Sequence, residues 1–136
     1  MRLVNRKNFI TGMTGVYCVA AELSSRGFLV TLTSRNAPIV DMMVSTPDLT
    51  KTTNVQVKTN KAQGTQSFWL LSGEARNSSP NLLYVFVNLR KNEKPNYYIV
   101  PSNRVAKEMD VEHTKGGVWF SFARNERDKN RWDLFD

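Results

Sequence analysis

The sequence holds one cysteine and one histidine in 136 residues. Cys18 cannot close a disulfide within the chain, and a lone thiol suits a cytoplasmic protein. One Cys and one His also fall short of the about four ligands that a structural zinc site needs. A Cys18–His113 nucleophile pair would need an accessible thiol. Cys18 instead falls on the apolar side of a helix, where cysteine behaves as a small buried hydrophobe. Long apolar runs are missing too: none approaches the ~18–20 residues of a membrane span. The opening "MRLVNRKNFITGM" has no sustained apolar core and no small-residue cleavage signal, so no secretory peptide is read there. Acids are the scarcer charge, 12 against 19 Lys and Arg, which gives a net charge of +7 and a pI near 9.8. A small basic domain favours a polyanionic partner, and nucleic acid is the commonest.

What is present is an ordinary globular composition, 40% hydrophobic and 23% charged. No repeat, low-complexity tract or Pro/Gly-rich linker divides it, so one domain over 1–136 is expected. "MTGVYCVAAELSSR", 13–26, reads as a helix with Met13, Val16, Tyr17, Ala20 and Ser24 on one stripe, widened by Val19 and Leu23. Thr11 or Thr14 is the expected cap and Gly27 the stop. Strands are expected at 28–33, 39–46, 54–60, 67–72, 81–90, 96–101 and 116–122. The run "NLLYVFVNLR" is nearly all apolar, as in a central strand covered on both faces. Ser102 is expected to cap a short helix, "SNRVAKEMD". "KNRWDLF" reads as a helical turn that docks Trp132 and Phe135. The fold class is therefore α/β (α+β), a single mixed sheet with flanking helices.

One lone acid, Asp41, interrupts the apolar run "IVDMMV". If 39–46 and 54–60 form an antiparallel hairpin, opposed residues have numbers summing to about 97–99. Asp41 then faces Gln56 or Lys58, and all three lie on one sheet face. Such a set could be an exposed ion pair worth ~0.2–1 kcal/mol. It could also hold magnesium, a hard cation that takes oxygen ligands and keeps several waters. Asp41, the Gln56 amide oxygen and the Val57 carbonyl would be ligands. Lys58 would polarise water or stabilise a phosphate.

"VDMMV…VQVKT" resembles the PD-(D/E)XK nuclease-like superfamily of restriction endonucleases and Holliday-junction resolvases. "GVYCVAAELSSRGF", "YYIVPSNRV" and "RWDLF" look like small stand-alone members of that group. The resemblance implies an α-β-β-β-α-β core, with Asp41, Gln56 and Lys58 as catalytic residues. It implies Mg2+ or Mn2+ at Asp41, Gln56 and Val57, and the activity of a magnesium-dependent endodeoxyribonuclease acting on DNA. Two positions depart from the pattern. Gln56 stands where an acid is commoner, and Val16 follows Gly15 where relatives often carry a glutamate. Glu22 is six positions on, roughly 240° around the helix, where it reads as a partner for Arg26.

"TNKAQGTQ", 59–66, reads as a loop beside the site, with Lys61 as a candidate phosphate contact. Trp69, Trp119 and Trp132 read as core before base-stacking platforms. Many small nucleases act as homodimers, and nothing in the sequence marks a dimer face. Three functions stay open: a metal-dependent DNA nuclease, a nuclease-like domain that binds nucleic acid with little catalysis, and a basic module for an acidic protein partner.

Overall fold

A computed structural model describes residues 3–34, 37–61 and 67–136, with side chains from residue 6 on. Helix α1 runs Leu3–Ser25, followed by strands β1 (Leu29–Leu32), β2 (Met42–Ser45), β3 (Thr52–Lys61) and β4 (Phe68–Leu71). A 3-10 turn (Gly73–Arg76), β5 (Leu82–Leu89), β6 (Asn96–Pro101) and α2 (Ser102–Glu108) come next. Strands β7 (Asp110–Thr114) and β8 (Gly117–Ala123) and two 3-10 turns, Glu126–Asp128 and Trp132–Phe135, complete the chain. No helix among the described residues is long and apolar enough to cross a membrane.

Two sheets form. The first has the order β1-β2-β3-β5-β6, and the second β4-β8-β7. In the first, β3 and β5 pair in parallel from Asn54↔Leu82 to Lys61↔Leu89, while its other pairs are antiparallel. A parallel pair needs a crossover connection. Here that connection carries β4 and the first 3-10 turn, and α2 follows β6.

β5 is buried along seven of its eight residues, because both of its faces are covered. On one face α1 brings Val16, Val19 and Leu23 onto Met42, Val55, Val85 and Ile99, with Trp132 and Phe135 closing the end. On the other, Trp69, Phe122, Ala75 and Val105 pack on Tyr84, Phe86 and Tyr98. Phe86 stacks on Phe122 with ring centroids 4.9 Å apart and meets Trp69 at 5.1 Å.

Several local expectations are corrected. α1 starts ten residues before 13: Thr11 and Thr14 lie inside it and donate to the carbonyls of Lys7 and Ile10 instead of capping. Its buried stripe is Val16, Val19 and Leu23, whereas Tyr17 is exposed. The helix does end at glycine. Gly27 has φ 93°, and the Phe28 N–H reaches back to the Leu23 carbonyl, the closure that a left-handed residue permits. Gly15 is required for another reason: a Cβ there would lie 1.8 Å from Thr59 Oγ1, so α1 approaches β3 closely only through a glycine. Ser102 is the first helical residue and not the cap. Its hydroxyl donates to the Ser79 carbonyl and accepts from the Ser79 N–H. Residues 59–61 continue β3 instead of opening a loop, and 62–66 lie outside the described residues.

Candidate active site

The expected strand 39–46 begins only at Met42, and the reason shapes the site. The Val40 N–H bonds the Pro38 carbonyl, closing a three-residue γ-turn around Ile39 at φ 69°. A positive φ is strained for a β-branched residue. It turns the backbone out of the strand just before Asp41. Asp41 is then pinned from both sides. Its N–H donates to the Val55 carbonyl of β3, and its carbonyl accepts from the Thr33 N–H beyond β1. With no further β2 backbone to meet it, the Val57 N–H donates to Asp41 Oδ2 at 2.7 Å. The carboxylate thus stands in for a missing strand partner, and among the described residues its other oxygen accepts no hydrogen bond.

The hairpin pairs Met42↔Val55 through Ser45↔Thr52, numbers that sum to 97. The pairing stops there: Asp41 instead bonds the Val55 carbonyl through its N–H and the Val57 N–H through its carboxylate. Burial alternates along β3, with Val55 and Val57 under α1 and Gln56 and Lys58 on the other face. Gln56 is in register with Tyr84, and Lys58 with Phe86. Gln56 Nε2 lies 3.5 Å from its neighbour's Val57 carbonyl, a long contact. Burial pushes the Asp41 carboxyl above its ordinary range, against the pull of the Val57 N–H and the Lys58 ammonium. Burial lowers the Lys58 ammonium below its ordinary value, opposed by Asp41 and Glu74. For both groups desolvation outweighs attraction, so the two charges sit where water is scarce.

Glu74, on the first 3-10 turn, is a group that sequence reading misses. Its charge acts on Lys58, and the Tyr84 hydroxyl is pushed above its ordinary value by burial first and by Glu74 second. Nothing local in "SGEAR" signals this, because only the crossover between β3 and β5 brings the turn over the sheet.

Val16 and Asp41 line the same open pocket of about 560 Å3, together with Phe9, Met13 and Leu32. The helix side of this pocket is therefore apolar. Glu22 lies elsewhere: it pairs with Arg26 at 3.0 Å and lines a different cavity with Cys18, Tyr97 and Trp132. Lys61 ends β3 and is exposed. Cys18 is held protonated more firmly by burial, and His113 is exposed on β7. Trp69 and Trp132 are core, while Trp119 is half exposed.

One carboxylate, one amide oxygen and one backbone carbonyl are hard oxygen donors. They fit magnesium or manganese holding several waters and do not fit an all-protein cage. Among the described residues no three of His, Cys, Asp and Glu gather at one point.

This helix, meander and mixed sheet is a fold found in a solved nuclease structure. The chain superposes on a bacterial homing endonuclease with a TM-score of 0.62 and 14% identity, over 93% of this chain and 90% of that one. It also matches Hjc, a Holliday junction resolvase from Archaeoglobus fulgidus, at TM-score 0.43 and 14% identity over 75% and 82% of the two chains. No family model and no curated protein matches the sequence.

Proposed function

We propose that residues 1–136 form one nuclease-like domain that hydrolyses DNA phosphodiesters with a divalent metal. The observation that carries this reading is the Asp41 carboxylate, fixed by the Val57 N–H and facing Lys58, within a fold shared with a homing endonuclease. The uncommitted Asp41 oxygen holds Mg2+ or Mn2+, and Gln56 Oε1 and the Val57 carbonyl add neutral oxygens. A bound ion of this kind supplies an acidified water and polarises a phosphoryl oxygen. Lys58, desolvated and fixed on a strand, stabilises the charge that develops on the phosphoryl oxygens and orients the attacking water. Lys61, exposed at the strand end, contacts a backbone phosphate.

Linear, nicked and branched DNA incubated with magnesium or manganese tests this. Cleavage is expected, and Asp41→Asn or Lys58→Met reduces it about 10²–10³-fold. Unchanged cleavage in both variants would show that the site is misassigned. A second reading, a nuclease-fold domain that binds nucleic acid without cutting it, is favoured by the apolar Val16 in the pocket. DNA bound but left intact under every metal condition would select it.

A further inference from the structure

At the far end of the same sheet, β5 and β6 carry a small pocket of about 230 Å3 that the proposed metal site does not use. Its floor is Asn88, only 2% exposed, with Asn96 beside it in register on β6. Arg90, Arg124 and Lys129 surround it, with Glu126 as the lining acid. Among the described residues no side-chain hydrogen bond of the Asn88 amide is found, and the residue lines the pocket. A buried amide without a partner is uncommon in a folded protein. Asn60, its register neighbour on β3, has an unpartnered Oδ1 of its own.

We infer that this pocket binds an oxyanion of the phosphate type, at a site separate from Asp41 and Lys58. Three cations face one acid, and that acid is already engaged: Glu126 accepts from the Tyr98 hydroxyl at 3.3 Å and lies 3.6 Å from Arg124 Nε. Arg90 pairs with Glu93 outside the pocket lining. Lys129 makes no ion pair among the described residues. Arginine forks and a lysine match a tetrahedral oxyanion, and a buried amide donor fixes where it sits. The small volume excludes a nucleoside and suits a phosphate group. By strand spacing the pocket floor lies on the order of 15 Å from Asp41, a few nucleotides along a backbone. A DNA backbone phosphate is therefore the source argued for; that source rests on the nucleic-acid reading above, whereas the oxyanion site itself does not.

The test uses the full chain and reads the side-chain amide resonance of Asn88 by NMR. Inorganic phosphate is titrated first and a short DNA duplex second. A saturable shift with both supports a backbone-phosphate contact. A shift with phosphate alone keeps the oxyanion site and assigns it a free anion. No shift with either overturns the inference. Replacing the exposed Arg124 and Lys129 together by alanine is expected to weaken phosphate binding about tenfold. Lys129→Ala alone is expected to lower the salt slope of DNA binding by about 1. Lys115→Ala, in the β7–β8 turn, serves as control, and an equal loss there would also count against the site. None of these readouts requires cleavage, so an inactive Asp41→Asn chain should give the same shifts.

Discussion

The two faces of the five-stranded sheet are built from the same strands and differ in kind. Under α1 the face is mostly apolar, with Met42, Val44, Val55, Val57, Val85 and Ile99 meeting one helix stripe and Thr59 lying against Gly15. The opposite face has an aromatic centre, Tyr84, Phe86 and Tyr98 under Trp69 and Phe122, and polar groups around it. Gln56 and Lys58 lie beside Tyr84 and Phe86, with Asn88 and its cations two residues further along β5, and Asp41 stands where β2 begins. One face supplies stability by burial. The other gives up part of that stability to hold charges and amides where water is scarce.

The largest effects should come from the apolar parts of both faces. Phe86→Ala removes the ring that Trp69, Tyr84 and Phe122 all touch. Urea unfolding should show a loss of about 4 kcal/mol. Leu23→Ala, fully buried under α1, should cost about 3 kcal/mol. If Phe86→Ala cost less than 1 kcal/mol, the second face would not be a packed core.

The helix approach comes next. Gly15→Ala should destabilise by about 2 kcal/mol through overlap with Thr59. Adding Thr59→Ala should recover part of that loss, because the nearest clashing atom is the Thr59 hydroxyl. Full additivity in the double-mutant cycle would mean that the two residues do not meet.

The polar end should behave in the opposite way. Replacing Asp41 by Asn and Lys58 by Met together should leave stability equal or raise it by about 1 kcal/mol, since burial outweighs attraction for both. The pH dependence has a definite sign. The folded Asp41 pKa is raised, so its contribution is present below the unfolded carboxylate value, about 3.9, and is lost as pH rises through the folded value. Thermal melts of Asp41→Asn should therefore gain on the natural chain as pH climbs from acid to neutral. Lys58 is lowered, so the natural chain regains stability only as alkaline pH neutralises that amine.

The sequence shows how far such a contrast can be foreseen. The alternation of "NVQVKTN" places Gln56 and Lys58 on one face, and the short hairpin connection brings Asp41 beside β3, since strand period and loop length are local properties. The continuous apolar run of β5 announces burial on both sides. Other features lack a local signal. "DVEHT" is exposed along its whole length and carries no alternation, so β7 is silent in the sequence. The first turns of α1 bury no face over residues 6–10, and a helix without a stripe cannot be read from periodicity. The second sheet, Glu74 over Lys58 and the Asn60–Asn88 neighbourhood depend on parallel pairing across a crossover, which no short window contains.

The smallest but most direct effect concerns metal. Calorimetric titration with Mn2+ should show weak, saturable binding to the natural chain. Asp41→Asn should abolish it, and Glu22→Gln, whose acid pairs with Arg26 elsewhere, should leave it unchanged. Val16→Glu should tighten it at some cost in stability, because Val16 is only 8% exposed. Saturable Mn2+ binding that survives Asp41→Asn unaltered would contradict a metal site at this carboxylate.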